Sequence, residues 1–267
     1  MIELFQYEFM QRALLAGALV GLLCALVGVY VVHRGLSFMG AGIAHASFGG
    51  VALGVWLGIN PVLAAMLFCL AVAWVIAWLS LNTHTREDTA IGIFFASTMA
   101  LGILVIGLIQ GYRQDLFGYL FGSILSVSAA DLWIIGAFAA AVLLLLWLYG
   151  KDLLFVIFDP EAAAVSGLSA QRLYFLLVTL VTATIVVSIK IVGIVLVSAL
   201  LITPAAAASQ LSERFGRILL LAVAISVAST LTGLLLSYWW DTASGATIVL
   251  VVTAVFLLSA LFSPVRR

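Results

Sequence analysis

Apolar runs close to 20 residues long recur along almost the whole chain, and that recurrence leaves few folds open. A helix of 20 residues is about 30 Å long, the thickness of the hydrocarbon core of a bilayer. Such runs lie at about 11–32, 39–59, 61–81, 89–109, 130–149, 171–189, 191–208, 217–238 and 245–263. Only 8% of the 267 residues are charged and 66% are hydrophobic, whereas soluble domains are about a quarter charged. The chain lacks the polar residues to cover itself in water, so lipid must solvate much of its surface. The expected fold is an all-α integral membrane protein, a polytopic bundle of eight or nine transmembrane helices.

The count turns on 171–208, which reads either as one long broken helix or as two spans meeting near Lys190 and Gly193. Charge placement favours two. With nine spans and the N-terminus outside, the inner side holds Arg34, Arg86, Lys151, Arg172, Arg214, Arg217, Arg266 and Arg267, and the outer side only Arg12, Arg113 and Lys190. That bias obeys the positive-inside rule. A single span would move four of those arginines outside. The first apolar run is preceded by Glu3 and Glu8 rather than by a basic segment, so it reads as a retained helix and not as a secretory signal.

Zero net charge gives no basic patch for nucleic acid. Cys24 and Cys69 both sit inside apolar runs and read as small buried hydrophobes, with neither metal spacing nor a disulfide partner in view. No flexible linker or internal repeat divides the chain, so 1–267 reads as one membrane domain. Two stretches do not span. Residues 110–129 form an outer segment whose apolar part is too short to cross, a re-entrant or interfacial piece. Residues 150–170 form an inner loop.

Within that loop, Asp159-Pro160-Glu161 is a helix start. Asp caps free amides, Pro suits the first helical position, and Glu meets the positive end of the dipole. Three alanines follow, and Gly167 can close the helix in a left-handed cap. Two turns at about 159–167 are too few to be stable alone. The helix either packs on its own chain or docks another protein.

Here the sequence acquires a specific resemblance. FDPEAAAVSGL (158–168) resembles the cytoplasmic coupling segment of the metal-import permeases of ATP-binding-cassette transporters, which carry zinc, manganese or iron. SFMGAGIAHASFGGVALG (37–54) is similar to that family's second-helix motif, LFGYLFGSIL (116–125) to its segment before helix five, and KIVGIVLVSALLITPAAAA (190–208) to its long small-residue motif. YWWDTASGATIVL (238–250) resembles the approach to its last helix. The five matches occur in order over nearly the whole chain, and the overall likeness is to the zinc permeases.

The resemblance implies a homodimer in a prokaryotic inner membrane with the pathway on its two-fold axis. It also implies two copies of a separate ATPase and an extracytoplasmic, periplasmic or lipid-anchored, metal-binding protein. The chain has no G-x-x-x-x-G-K-[ST] loop of its own, so ATP would act through contact, with Asp159, Pro160, Glu161 and Gly167 as the coupling helix. The substrate implied is a divalent metal, zinc first and manganese or iron as alternatives, and no permanently bound cofactor or catalytic residue is expected.

A transported cation needs donors without a closed cage. Of three histidines, His33 and His84 fall in expected inner loops, as ordinary solvated residues, and His45 alone falls within a span. Ionisable groups inside membranes are costly and are commonly functional, so His45 is the candidate pathway ligand against the reading of a satisfied structural residue. Around it Ala41, Gly42, Ala44, Ala46, Ser47, Gly49, Gly50 and Ala52 make a thin helix, suited either to close packing or to leaving room for an ion.

Many members of the family carry Asp where this chain has Ala41, one turn before His45. Its absence weakens a static metal site and leaves an imidazole pair across a dimer, or a weak transient site. Imidazole suits zinc, while manganese prefers oxygen.

Asp241, at the outer end of the eighth span, is a candidate entrance residue or an exposed turn residue. Asp115 and Asp131 flank the outer segment, as cation attractors or as caps. Lys190 is expected to snorkel to the interface. Gly193, Ser198 and Pro204 mark a helix able to bend, with tight packing as the other reading. A secondary transporter would carry more intramembrane acids, and a siderophore or vitamin permease is the nearer rival.

Overall fold

The structure is a computed structural model that describes residues 7–109, 124 and 127–263. The expected re-entrant segment, with Arg113, Asp115 and most of LFGYLFGSIL, lies outside the described residues, as do Glu3, Arg266 and Arg267. The described residues form nine helices. In chain order these are α1 (Glu8–Arg34), α2 (Ser37–Leu57), α3 (Pro61–Asn82), α4 (Glu87–Leu108), α5 (Ala129–Phe158), α6 (Pro160–Val165), α7 (Ala170–Leu211), α8 (Phe215–Trp240) and α9 (Ser244–Leu261). All except α6 are long and apolar enough to cross a membrane, eight helices among the described residues.

One of the eight crosses twice. Helix α7 has 42 residues, about 63 Å if straight, twice the hydrocarbon thickness. It is interrupted at Gly193, whose φ of 81° and ψ of 169° are not helical. Its two ends return to the same place. The Arg34 guanidinium lies 5.6 Å from the Tyr174 ring, near the start of α7. Phe215, four residues beyond its end, stacks edge-on against Tyr30 at 5.3 Å and His33 at 5.6 Å. A straight helix cannot place residues 174 and 215 beside the same last turn of α1. The chain reverses at Gly193, and the expected spans 171–189 and 191–208 are the two arms of this hairpin. Proline does not add a second break, because Pro204 is buried within the helical run.

Among the described residues the hairpin gives nine alternating passes. The ends of α1, α3, α5, α7 and α9 and the starts of α2, α4, α7 and α8 gather on one face. Ser263 reaching the Gln210 carbonyl at 2.7 Å closes that face at the end of α9. Among the described residues this face carries Arg34, Arg86, Lys151, Arg172, Arg214 and Arg217, while the opposite face has Arg12 and Lys190. The positive-inside rule makes the Arg34 face cytoplasmic.

The core forms around α7, which packs on α1, α2, α3, α5, α8 and α9. Small residues let the backbones approach where no hydrophobic drive exists between helices in lipid. A β-carbon on Gly28 would lie 1.8 Å from the Leu201 carbonyl oxygen. Buried hydroxyls join helices as well, as where Ser226 donates to the Gly21 carbonyl at 2.9 Å. Cys24 and Cys69 are free and buried, as expected.

One boundary differs from expectation. Residues 150–158 continue α5 as helix and are not loop. The charged Lys151-Asp152 pair suggests an exit from the membrane, and a helix of 30 residues does outrun the bilayer at about 45 Å. It stays helical because Leu153 and Val156 remain buried, and because Gly150 faces the Tyr30 hydroxyl, which would be 2.8 Å from any β-carbon there.

Candidate functional site

Helix α2 carries the candidate pathway residue. Its small residues have divided roles. β-Carbons on Gly42, Gly49 and Gly50 would meet Ile91, the Thr98 carbonyl and Ala65 at 2.5, 2.7 and 2.6 Å. Those glycines are spent on packing against α4 and α3, which is the close-packing reading of the thin helix. Ala41 and His45 lie beside this α4-facing row and are half-exposed, and the His45 ring itself reaches Phe95 of α4.

The His45 Nδ1 lies 2.9 Å from the Ala41 carbonyl oxygen. A carbonyl has no proton to give, so Nδ1 carries the hydrogen and a neutral ring keeps its lone pair on Nε2. A backbone carbonyl that fixes the tautomer in this way is the usual outer support of a metal-binding imidazole. Phe95 holds the ring from α4, edge-on at 4.9 Å. His45 thus presents one oriented nitrogen donor about 12 Å from the inner end of α2, within the membrane. Among the described residues no group of three or more His, Cys, Asp or Glu side chains is placed to hold a metal ion.

The other candidates lie apart from it. Asp241 is exposed and caps the far end of α8 in the left-handed conformation, with φ 51° and ψ 47°. The Thr242 amide then reaches the Ser237 carbonyl at 3.0 Å, and Ser237 Oγ donates to the Thr242 carbonyl at 2.6 Å. Asp241 is therefore a turn residue by geometry, on the outer face. Asp131 is a cap: Ser128 and Asp131 form a reciprocal capping box at the start of α5. Its other oxygen receives Lys190 Nζ at 2.5 Å, so Lys190 is ion-paired rather than simply extended toward water.

His33 corrects an expectation. It ends α1 half-buried, with Nδ1 2.8 Å from the Val29 carbonyl and its ring against Phe158 and Phe215, so it is structural rather than a solvated loop residue. His84 is exposed in the α3–α4 loop, as expected.

On the inner face α6 is short and well capped. The Asp159 carboxylate accepts from the Ala162 amide at 2.9 Å, and Pro160 occupies the first turn. Gly167, at φ 86°, lets the Leu168 amide reach the Ala163 carbonyl at 3.0 Å. This is the left-handed closure the glycine suggests. Ala163 is fully buried and anchors the helix, while Asp159, Pro160 and Glu161 are exposed and Val165 is 91% exposed.

Sequence reading alone does not find Arg34, which ties several helices together beside α6. It lies 3.8 Å from Glu87 at the start of α4 and over the Tyr174 ring of α7. The signal was a charge at a helix end, which is common to most membrane helices.

Residues 6–263 match the ABC 3 transport family. The chain is 39% identical over 262 residues to the manganese transport system membrane protein MntC of Halalkalibacterium halodurans, covering 98% of this chain and 90% of that one. It is 36% identical over 253 residues to the high-affinity zinc uptake system membrane protein ZnuB of Haemophilus influenzae, covering 95% and 97%. Among solved structures, PsaBC from Streptococcus pneumoniae in complex with Fab superimposes with a TM-score of 0.87 at 36% identity, over 98% of this chain and 94% of that one. The multi-pass helical bundle of an inner-membrane protein and a family match over residues 6–263 together place this chain in the ABC 3 transport family, as a metal-transporter permease.

Proposed function

We propose that the chain is the membrane subunit of an ATP-driven importer, working as a homodimer, and that it passes a divalent transition metal, zinc, from an extracytoplasmic binding protein into the cytoplasm. The observation that carries the reading is His45. It offers an oriented Nε2 within the membrane on a half-exposed stripe of α2, with no carboxylate at Ala41. A second copy would supply a second imidazole. Two nitrogen donors give a site weak enough to release its ion, and imidazole without carboxylate suits zinc better than manganese.

Helix α6 is the contact for the separate ATPase. Asp159 and Gly167 hold it rigid at both ends, Glu161 and Val165 face the partner, and buried Ala163 passes its movement into the bundle. Gly193 is the hinge between the arms of α7. Asp241 is at most an outer attractor for the arriving cation. A manganese substrate is the second reading, favoured by the name of the 39% identical relative.

The test is uptake of zinc and of manganese in metal-starved cells lacking their own importers, with the permease expressed beside its ATPase and binding protein. Wild type should accumulate zinc, and His45→Ala should lose at least about tenfold while still assembling. Manganese uptake by wild type would change the substrate. Normal uptake by His45→Ala would remove His45 from the path.

A further inference from the structure

At the outer end of the bundle, α3 and α5 stand apart over α7 and leave a cavity of about 420 Å³. Its walls are apolar, built from Met66, Leu67, Ile134, Ile135, Val187 and Ile191. Among the described residues its polar lining comes from Asn60 and the Asp131–Lys190 ion pair, all at the outer helix ends. Leu63, Leu67 and Ile134 are each more than half exposed, so the cavity opens sideways on a face that lies within the bilayer. Asn60 caps the start of α3, Asp131 lies in the first turn of α5, and Lys190 sits three residues before the α7 reversal. The polar end is therefore at the outer membrane–water boundary.

The hydrogen bonds at that end decide what it accepts. Asp131 is engaged on both oxygens, one by Lys190 and the other by Ser128. Asn60 Oδ1 is filled by the Val62 and Leu63 amides at 3.0 and 3.3 Å. What the rim mainly offers is donors: the Asn60 amide group and the other two N–H bonds of Lys190, which is 46% exposed. The Lys190 charge is balanced by Asp131, so the rim has hydrogen-bonding power without net charge.

The geometry points to a bound glycerophospholipid, one acyl chain in the α3–α5 groove and its phosphodiester oxygens on Lys190 Nζ and the Asn60 amide. The fit is one of complementarity. A groove within the bilayer matches a chain, and a rim with free amide and ammonium donors at the boundary matches the acceptor-rich group that every phospholipid carries at that depth. Because the rim is neutral overall, recognition falls on the phosphate and not on the net headgroup charge. The lipid would brace α3 against α5 beside the α7 reversal.

The experiment is native mass spectrometry of the full chain, purified in mild detergent and re-lipidated separately with phosphatidylethanolamine, phosphatidylglycerol or diacylglycerol. One retained molecule per chain is expected for both phospholipids alike, and none for diacylglycerol. Loss of a hydrogen bond to a charged group corresponds to about tenfold in retention, which Lys190→Ala should show. Asn60→Asp keeps the cap but removes the amide donors, and should also weaken retention. Ile134→Trp, which fills the groove, should abolish it. Equal retention by wild type, Lys190→Ala and Ile134→Trp would overturn the site, as would equal retention of diacylglycerol. A changed chain stoichiometry in Ile134→Trp, with lipid unaltered, would make the groove a contact between copies instead.

Discussion

Gly28 of α1 and Leu201 of α7 are in backbone contact: a β-carbon on the glycine would stand 1.8 Å from the leucine carbonyl oxygen. The neighbouring atom is backbone on a buried helix and cannot swing away. Gly28→Ala must therefore push α1 and α7 apart. The expected cost is about 3 kcal/mol or more, at the upper end of overpacking penalties, read as a lower melting temperature and a smaller monodisperse fraction in detergent. Gly92 of α4, with nothing within 4 Å of its added β-carbon, is the control. Gly92→Ala should be neutral or slightly stabilising. Equal behaviour of the two variants would contradict the α1–α7 packing.

The α7 reversal predicts a second sensitive glycine. Gly193 adopts φ 81° and ψ 169°, a region open essentially to glycine alone and costing other residues about 1–3 kcal/mol. Gly193→Ala should destabilise the protein by that amount and slow transport, whereas Pro204→Ala, within the helical run, should leave the reversal intact. Cysteine accessibility at positions 171 and 213, both exposed, would check the topology. Both should be labelled from the cytoplasmic side, and labelling from opposite sides would rule out the hairpin.

Helix α6 separates stability from coupling. Asp159→Ala removes the cap from the Ala162 amide and should cost about 1 kcal/mol, loosening a helix of six residues. Glu161→Arg changes an exposed side chain in the first turn of α6. It should cost less than about 1 kcal/mol through the helix dipole while reducing transport-linked ATP hydrolysis in the assembled complex severalfold. Unaltered hydrolysis and uptake in Glu161→Arg would free α6 from the docking role.

Metal preference should respond to Ala41. Both Ala41 and His45 are half-exposed on one face of α2, one turn apart, where side chains meet. Ala41→Asp would add an oxygen donor beside the imidazole. Manganese uptake should then rise relative to zinc, since manganese favours oxygen ligands. A ratio unchanged by the substitution would show that the ion does not pass this face.

Most spans were legible in the sequence because a lipid-solvated helix must be apolar along its whole length, and that requirement writes itself as a run of about 20 residues. The caps of α6 were legible for a similar reason: Asp159, Pro160 and Gly167 act on their own neighbours, through bonds closed within a few residues. Local chemistry of that kind needs no tertiary context. The end of α5 was not legible, because Lys151 and Asp152 look like an exit until Leu153, Val156 and the Gly150–Tyr30 contact keep the helix going. Nor could the sequence choose between the cap and the cation-attracting role of Asp131, which depends on Lys190, a residue 59 positions away. His45 was placed in a span by its neighbours, but its aromatic support on Phe95 and the exposure it keeps beside Ala41 follow from how α2 packs on α4. The sequence determined which segments enter the membrane and where short helices start and stop. Tertiary packing decided which way α7 runs after Gly193, which charges pair and which side chains stay open, because those depend on contacts between residues far apart in the chain.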